Sequence, residues 1–295
     1  MANRGAADAG LVCSAERKSR VSSATAATRK RYVDTTHASR APNQGHNSKN
    51  PYDPAVERIA VIMAMEAEAA PLRAALGATA IAGPAWAAAL PVRLSLAAAV
   101  GTRPEVLLAV NGADPATGVD CVGSTAAALS THVALSTGPV DLVVTAGTAG
   151  GWRRSKAEIG EVYVAWPHIT CHDRRIDLPG FDQFGRADIP TADLRRLAVD
   201  LGCRLGIVTT GDSLDESPTD CERILANGGT VKEMEAAAVA WIAQLHDTPV
   251  TAVKAITDLV DSPVATATQF TANLAAASES LQATMVDLID RLGDQ

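Results

Sequence analysis

Short apolar runs, each about the length of a β-strand, alternate with helical segments along this chain, and this alternation is the feature that most constrains its fold. One run, residues 250–256, is apolar at most positions and stops at Thr257 and Asp258. Such a run indicates a strand buried on both faces of an α/β sheet. Ligands bind at the carboxyl ends of strands in these sheets, so Asp258 is a candidate catalytic acid. Asp is also a common helix cap, and this residue alone leaves both interpretations open.

Four more acidic residues stand where a predicted strand gives way to a helix. The run that starts at Arg58 leads into a helix predicted to end at the glycine of EAEAAPLRAALG, with Glu66 and Glu68 at the turn between them. Carboxylates favour a helix amino terminus, which would account for one of the two. Glu233 and Glu235 lie at the next such changeover, in TVKEMEAAAVAW.

Several other segments predict elements of the same sheet or of the helices that cover it. Residues 140–144 form a strand that leads into residues 147–151, predicted as a glycine-rich turn whose backbone amides approach a ligand. A helix is predicted to begin near Asp120. Residues 168–190 are polar and lack periodicity, which predicts a long loop that binds a ligand or contacts another subunit. Apolar side chains at helical spacing over residues 270–292 predict one long amphipathic helix.

The charge of the chain is unevenly distributed. Residues 1–50 hold nine Lys or Arg against three acidic residues, a balance of +6, so the whole-chain net charge of −7 leaves −13 for residues 51–295. Nucleic acids and anionic membranes require a basic face, and this balance argues against both as partners of the folded part. No apolar run reaches the roughly 18 residues of a membrane span, so we expect a soluble protein.

The cysteines and histidines predict neither a disulfide framework nor a metal site. Five scattered cysteines contain no C-x-x-C pair, and the six histidines lack metal-ligand spacing. This usage suits a reducing compartment such as the cytoplasm.

Residues 1–55 are predicted to be a disordered N-terminal extension, and residues 56–295 the folded catalytic domain. Ser, Thr, Ala, Asn and basic residues dominate the first 50 positions, without apolar periodicity. The Arg-, Ser- and Ala-rich, acid-poor composition is also that of an organelle transit peptide. Cytoplasm and organelle therefore both stay open as locations.

Three of the acids, Glu68, Glu235 and Asp258, each follow a different predicted strand. If these strands are neighbours in one sheet, the three carboxylates reach one cleft beside residues 147–151. Several carboxylates without a metal motif indicate acid–base cleavage of a glycosidic-type bond, in which one acid protonates the leaving group and another activates water. Carboxylates also bind sugar hydroxyls and stabilise an oxocarbenium-like centre.

Six segments, in the right order, carry a family resemblance: AMEAE, TAGTAGG, HDRRI, TTGDSLD, VKEMEAAAVA and KAITDLVD. They resemble the plant-type 5′-methylthioadenosine nucleosidases of the nucleoside phosphorylase superfamily, from about Arg58 to the C-terminus. The resemblance implies a single α/β domain with a central mixed β-sheet flanked by helices, nucleoside phosphorylase-like, in a homodimer without cofactor or metal. The implied reaction hydrolyses the N-ribosidic bond of 5′-methylthioadenosine to adenine and 5-methylthioribose in methionine salvage. Whether S-adenosylhomocysteine is a second substrate stays open.

The resemblance also implies roles for individual residues. Asp258 would protonate purine N7, and Glu68 would activate the water that attacks the ribose anomeric carbon. Thr148 and Lys254 would help position Glu68 and that water.

Further residues are implied to bind the nucleoside. Glu235, with the Met234 backbone, would hold the ribose 2′ and 3′ hydroxyls, and Glu233 would lie near the water and the ribose. The remaining implied contacts are Leu214 and Asp215 at the adenine, Val119 at the 5′-alkylthio group, and Ile176 and Pro179, which cross a homodimer interface to close the partner's pocket.

Three alternative functions are weighed against this one. A purine nucleoside phosphorylase of the same superfamily would use phosphate, which needs cationic and amide donors, whereas Glu68 would repel the anion. A non-catalytic nucleoside-binding or storage protein would be expected to lack the acid or the base, and both are present. A nucleosidase for another adenine nucleoside, such as aminodeoxyfutalosine, stays open within the enzyme class.

Overall fold

The computed structural model describes residues 56–294. The predicted extension, residues 1–55, lies outside the described residues, as does Gln295, so the extension stays a prediction. The strands of the described part are β1 (Arg58–Met63), β2 (Thr79–Ile81), β3 (Arg93–Ala97), β4 (Glu105–Val110), β5 (Leu142–Gly151), β6 (Val162–Cys171), β7 (Ile189–Pro190), β8 (Arg204–Thr210), β9 (Val231–Glu233) and β10 (Val250–Leu259). Its α-helices are α1 (Glu66–Leu76), α2 (Ser124–Leu135), α3 (Asp182–Arg186), α4 (Arg195–Asp200), α5 (Pro218–Asn227), α6 (Ala236–Leu245) and α7 (Thr266–Gly293).

The strands form one mixed sheet in the order β10-β6-β8-β9-β5-β1-β4-β3-β2, with β7 paired to β6. Strand β5 lies at its centre and pairs in parallel with β1 and with β10. Because β10 also pairs antiparallel with β6, the strands β5, β10, β6, β8 and β9 close into a ring. The carboxyl ends of β1, β5 and β10 therefore meet at one edge.

Helices cover both faces of the sheet, so the central strands are buried on both sides. Along β10, Val253 and Ala255 pack into a core shared with α1, α4 and α7, whereas Ala252 and Ile256 belong to the core shared with α2 and α6. The predicted single α/β domain with a central mixed sheet flanked by helices is confirmed.

The long C-terminal helix forms as predicted and covers one face. Leu281, Met285 and Leu288 on α7 are almost fully buried. Full burial of such a side chain stabilises the fold by roughly 1.5–3 kcal/mol. Phe270, in the first turns of the same helix, is only half-buried and faces the cavity described below.

Helix α1 ends as predicted, whereas α2 begins later than predicted. Gly77 caps α1 in a left-handed conformation at φ 65°. The predicted start of α2 near Asp120 is wrong by four residues, because the Asp120 carboxylate accepts a hydrogen bond from the Glu66 amide at 3.2 Å and stays in the preceding loop. The helix starts at Ser124, whose amide donates to Asp212 at 2.7 Å.

The predicted glycine-rich turn at residues 147–151 is wrong, because these residues continue β5 to Gly151. Their backbone pairs with β10 along this length, Lys254 opposite Gly147 and Asp258 opposite Gly150. The predicted polar loop at 168–190 is also shorter than expected. Strand β6 extends to Cys171, and α3 and β7 lie within the remainder.

Candidate active site

A cavity of about 260 Å³ opens at the edge where the carboxyl ends of β1, β5 and β10 meet. Its walls come from seven separate segments of the chain. The lining residues are Ala64, Met65, Glu68, Val122, Thr148, Ala149, Gly150, Leu214, Lys232, Glu233, Met234, Glu235, Thr257, Asp258, Val260 and Phe270. The three acids singled out in the sequence, Glu68, Glu235 and Asp258, therefore share one cavity.

Glu68 reaches the cavity from the first turn of α1 and is 3% exposed. One of its oxygens accepts two hydrogen bonds from Thr148, from the amide at 2.7 Å and from the hydroxyl at 2.6 Å. Burial raises the pKa of Glu68, while the Thr148 hydrogen bonds and the charge of Lys254 oppose that rise. The result is a carboxylate of fixed orientation and increased basicity.

Glu233 and Lys254 form a buried ion pair beneath the cavity, with Nζ 3.0 Å from Oε2. The other Glu233 oxygen accepts from the Thr210 hydroxyl, and Oε2 also accepts from the Glu235 and Ala236 amides at 2.9 and 2.8 Å. The carboxylate thus caps α6 and is saturated with donors. Lys254 does not line the cavity, and its neighbouring carboxylates raise its pKa against the lowering effect of burial.

Glu235 is the residue immediately before α6 and has a free carboxylate oxygen at the cavity. Its Oε1 accepts a hydrogen bond from the Gly123 amide at 2.8 Å. Burial, and to a lesser degree the charges of Glu233 and Glu68, raise the pKa of Glu235 to about 7, although Lys254 opposes them. This group therefore changes its charge near neutral pH.

Asp258 lies near the end of β10 and is 3% exposed. Its Oδ1 accepts a hydrogen bond from the Thr257 hydroxyl at 2.9 Å. Burial raises the pKa of Asp258, and the Thr257 hydrogen bond and the charge of Lys232 partly offset this effect. A buried carboxyl with a raised pKa holds its proton more readily than one in water, as a general acid requires.

The glycines of β5 provide the space into which these carboxylates extend. A Cβ on Gly147 would lie 3.3 Å from both Glu68 oxygens, and one on Gly150 would lie 2.7 Å from Asp258 Oδ2. Glycine is thus required by close side-chain approach from neighbouring elements, although β5 is an ordinary extended strand here.

The structure also places the other residues that the sequence singled out. Thr148, Met234 and Leu214 line the cavity, whereas Asp215 is exposed beside it and does not. Val119 is 63% exposed and does not line the cavity.

Ile176 and Pro179 lie apart from this cavity, in the segment before α3. Ile176 lines a separate surface pocket with Phe181 and Arg223, and Pro179 is exposed. The single chain therefore does not bring these two residues to the cavity, and their predicted contact with a partner's pocket stays a prediction.

Several residues of the cavity wall were not singled out in the sequence, among them Val122, Phe270 and Lys232. Val122 lines it, three residues beyond the predicted Val119, and Phe270 was assigned only to the covering face of α7. Lys232 was passed over, although a lysine within the short strand VKE is a recognisable signal. Among residues 56–294, no group of three or more His, Cys, Asp or Glu side chains is arranged to hold a metal ion.

Known proteins of one family are similar to this chain over most of its length. The family model described as the Phosphorylase superfamily matches residues 58–290. A 5′-methylthioadenosine nucleosidase of Arabidopsis thaliana is 35% identical over 80% of this chain and 87% of its own length. A 5′-methylthioadenosine/S-adenosylhomocysteine nucleosidase from the same plant is 40% identical over 61% of this chain and 70% of its own length.

A solved structure agrees with these sequence relatives. The apo form of Arabidopsis thaliana 5′-methylthioadenosine nucleosidase superposes with a TM-score of 0.78 at 34% identity, over 82% of this chain and 98% of that one. The predicted nucleoside phosphorylase-like fold is thereby confirmed. The family model, the sequence relatives and the solved structure agree with the buried acids that share one cavity. The chain therefore belongs to the phosphorylase superfamily and, within it, to the family of 5′-methylthioadenosine nucleosidases.

Proposed function

We propose that this protein hydrolyses the N-ribosidic bond of 5′-methylthioadenosine, giving adenine and 5-methylthioribose. The observation that carries the proposal is the placement of three carboxyl groups with different environments, Glu68, Glu235 and Asp258, in the wall of one cavity. The Arabidopsis relatives bear the name of this activity.

Asp258 acts as the general acid in this proposal. Adenine leaves poorly as an anion, so a proton delivered to N7 allows it to leave as the neutral base. The electron pair of the breaking C–N bond passes to the purine, and the Asp258 proton moves to N7. The raised pKa of Asp258 supports this role, since burial favours the protonated form.

Glu68 acts as the general base. A water molecule attacks the anomeric carbon, gives its proton to Glu68 and leaves its oxygen on the ribose. Thr148 fixes the carboxylate by two hydrogen bonds, and burial increases its basicity. Lys254 supports Glu68 through its positive charge, and Glu233 holds Lys254 in place.

Glu235 recognises the ribose. Its ionised carboxylate accepts hydrogen bonds from the 2′ and 3′ hydroxyls and stabilises the positive oxocarbenium-like centre. The Met234 backbone helps to hold these hydroxyls, and Met234 lines the cavity beside Glu235. Leu214 packs on the adenine and Asp215, at the rim, approaches its polar edge. Val122 contributes to the 5′-alkylthio pocket, in place of Val119, which does not line the cavity.

Water rather than phosphate is the second substrate in this proposal. Glu68, Glu233 and Glu235 all line the cavity, and Lys232 is the one cation among its lining residues. Phosphate binding requires several cationic or amide donors, and this wall would repel the anion. Adenine release should therefore be independent of added inorganic phosphate. A rate that rises in proportion to phosphate would assign the protein to the phosphorylases instead.

S-adenosylhomocysteine is the other nucleoside to test as a substrate, because the 40% identical relative is named for both nucleosides. Measuring kcat/KM for both nucleosides on the same preparation gives the preference directly.

We further propose that residues 56–295 form the catalytic domain and that its reaction serves methionine salvage. Within residues 56–294, no helix is long and apolar enough to span a membrane. The location, in the cytoplasm or in an organelle, follows from imaging the full chain with and without residues 1–50.

We also propose a homodimer in which Ile176 and Pro179 close the partner's pocket. Apolar side chains are exposed around their segment, Leu178 at 56%, Phe181 at 43% and Phe184 at 51%. Exposed apolar clusters of this kind mark interaction sites. Light scattering should give twice the monomer mass. A Phe184→Asp variant should be monomeric with a raised KM, and a monomeric wild type would contradict the proposal.

A further inference from the structure

Lys232 is a buried cation in the cavity wall that the roles above leave without a task. It lies on β9 and is 5% exposed. Its Nζ donates to the backbone carbonyl of Ser213 at 2.6 Å and to that of Leu214 at 3.0 Å. These carbonyls belong to the segment that supplies Leu214 to the cavity, so Lys232 ties that segment to the sheet.

The strand register also brings Lys232 towards Asp258. Gly150 pairs with Lys232 of β9 on one side and with Asp258 of β10 on the other. Directly paired residues of neighbouring strands project their side chains to the same face of a sheet. The Lys232 side chain and the Asp258 carboxyl therefore project to the same face of the sheet, on either side of Gly150, which has no side chain. Asp258 Oδ2 lies over Gly150, only 2.7 Å from where a Cβ would be.

A lysine at this position costs stability that an apolar residue would not. Removing an ammonium from water is unfavourable, and two carbonyl dipoles offset that penalty only in part. Burial accordingly lowers the pKa of Lys232, although Glu216 and Asp258 oppose this. Lys232 is thus buried in the cavity wall despite the desolvation penalty, and its strand register brings it towards the proposed acid. This placement indicates a role beyond packing.

We propose that Lys232 is a positioning residue for catalysis, which fixes the Ser213–Leu214 backbone against the purine and sets the acidity of Asp258. The inference rests on the proposed function. When Asp258 gives its proton to the purine, the negative charge left on it faces the Lys232 ammonium. The cation thus makes Asp258 a stronger acid than burial alone would allow, and the bound segment keeps the base in reach of it.

The test compares three substitutions in the full-length protein, with adenine release from 5′-methylthioadenosine followed across pH. Lys232→Met removes both the charge and the two hydrogen bonds. Lys232→Gln keeps one N–H donor group without the charge, and Lys232→Arg keeps the charge. Lys156→Met is the matched control, because Lys156 is exposed and does not line the cavity.

Hydrolysis needs protonated Asp258, so the rate falls as pH rises through the Asp258 pKa. Loss of the neighbouring cation raises that pKa. The pH limit, meaning the pH at which the rate has fallen to half, should therefore move up by about one unit in Lys232→Met and Lys232→Gln. KM should rise about tenfold in Lys232→Met, less in Lys232→Gln, from loosening of the Leu214 segment. Lys232→Arg should keep the wild-type pH limit, and Lys156→Met should match wild type throughout.

An unchanged pH limit together with an unchanged KM in Lys232→Met would overturn the inference. So would an equal shift of the pH limit in Lys232→Arg, because the charge would then be irrelevant. If circular dichroism shows that Lys232→Met does not fold, the comparison of Lys232→Gln with Lys232→Arg decides by the same criterion. Failure of the wild type to release adenine would refute the proposed function itself, a result distinct from any of these.

Discussion

At the scale of single residues, the carboxyl groups of the cavity are chemically alike but differ in their hydrogen bonds, charged neighbours and pKa values. Glu233 is saturated by donors and by Lys254, which suits a support and not a reactant. Glu68 and Asp258 are both buried with raised pKa values, but Thr148 holds the first by two hydrogen bonds. Burial raises the pKa of Glu235 to about 7. The proposed acid, base and sugar ligand therefore have different environments.

Replacement of the proposed acid should abolish turnover without disturbing the fold. Asp258→Asn keeps the size of the side chain but has no proton to give to N7, so kcat should fall by at least about 10²-fold. Binding of 5′-methylthioadenosine, measured by calorimetry, should persist. Asp261→Asn is the control, because Asp261 caps the Arg153 and Arg154 amides away from the cavity and its loss should spare turnover. Near-normal kcat in Asp258→Asn would contradict the mechanism.

The pH dependence of kcat/KM should report Glu235. In the proposed role its ionised form accepts the ribose hydroxyls, so kcat/KM should decline as pH falls below about 7, the value to which burial raises its pKa. In Glu235→Gln this acidic limb should disappear, with a lower and flatter profile and a higher KM. A wild-type profile that stays level from pH 8 to pH 5 would show that Glu235 is not the group that binds the sugar in its ionised form.

At the scale of elements, β5 determines which side chains can meet. Its glycines let Glu68 from α1 and Asp258 from β10 approach the same strand from different sides. Each of these acids is held by an element that the sheet fixes, so their separation is set by the fold and not by mobile loops.

A methyl group at Gly150, where the Asp258 carboxyl approaches β5, should displace that carboxyl. In Gly150→Ala the Cβ would lie 2.7 Å from Asp258 Oδ2 and 2.8 Å from Val260, so the carboxyl must move. Misplacement by about 1 Å costs roughly 10²-fold in rate, and we expect kcat to fall by about that factor. The control Gly83→Ala adds a Cβ with ordinary contacts, the nearest at 3.5 Å, and should leave kcat unchanged. Full activity in Gly150→Ala would refute the crowding argument.

Periodicity and capping made some elements predictable from the sequence, whereas packing between distant segments made others unpredictable. Strand β1, helix α1 with its cap at Gly77, and helix α7 follow from local pattern. The glycines at 147–151 have the composition of a turn and were misassigned. Only the side chains that approach them from α1 and β10 explain glycine within a strand.

The site was predictable to the same extent. Glu68, Glu235 and Asp258 stood at strand ends and could be singled out, because a charge that terminates an apolar run is conspicuous. Phe270 could not be, since it lies within a helix whose apolar pattern already had a structural explanation, and Lys232 offered only the signal of a single charge within a short strand. Their place in the wall depends on how α7 and β9 pack on the sheet.

At the scale of the whole molecule, the cavity and the stability of the fold depend on the same buried ion pair. Lys254, 2% exposed, lies on β10, between β5 and β6, and pairs with Glu233 at the end of β9. Glu233 in turn caps α6, so this pair joins the sheet to the helix that presents Glu235.

Breaking this pair should destabilise the whole domain. Lys254→Met leaves Glu233 buried without its cation, which costs roughly 3–5 kcal/mol in the free energy of unfolding. Urea denaturation followed by circular dichroism measures the loss. Arg93→Met, which removes a partly exposed pair with Glu66 at 3.9 Å, should change the same quantity by less than about 1 kcal/mol. An equal loss of unfolding free energy in the two variants would contradict this account.

The central claim is that this protein cleaves 5′-methylthioadenosine with water. The most direct test incubates the purified full-length chain with 5′-methylthioadenosine in phosphate-free buffer and quantifies both products by chromatography and mass spectrometry. The account predicts adenine and 5-methylthioribose in equal amounts, at a rate that added phosphate does not change. Binding of the nucleoside without release of adenine, or formation of a methylthioribose phosphate on addition of phosphate, would contradict it.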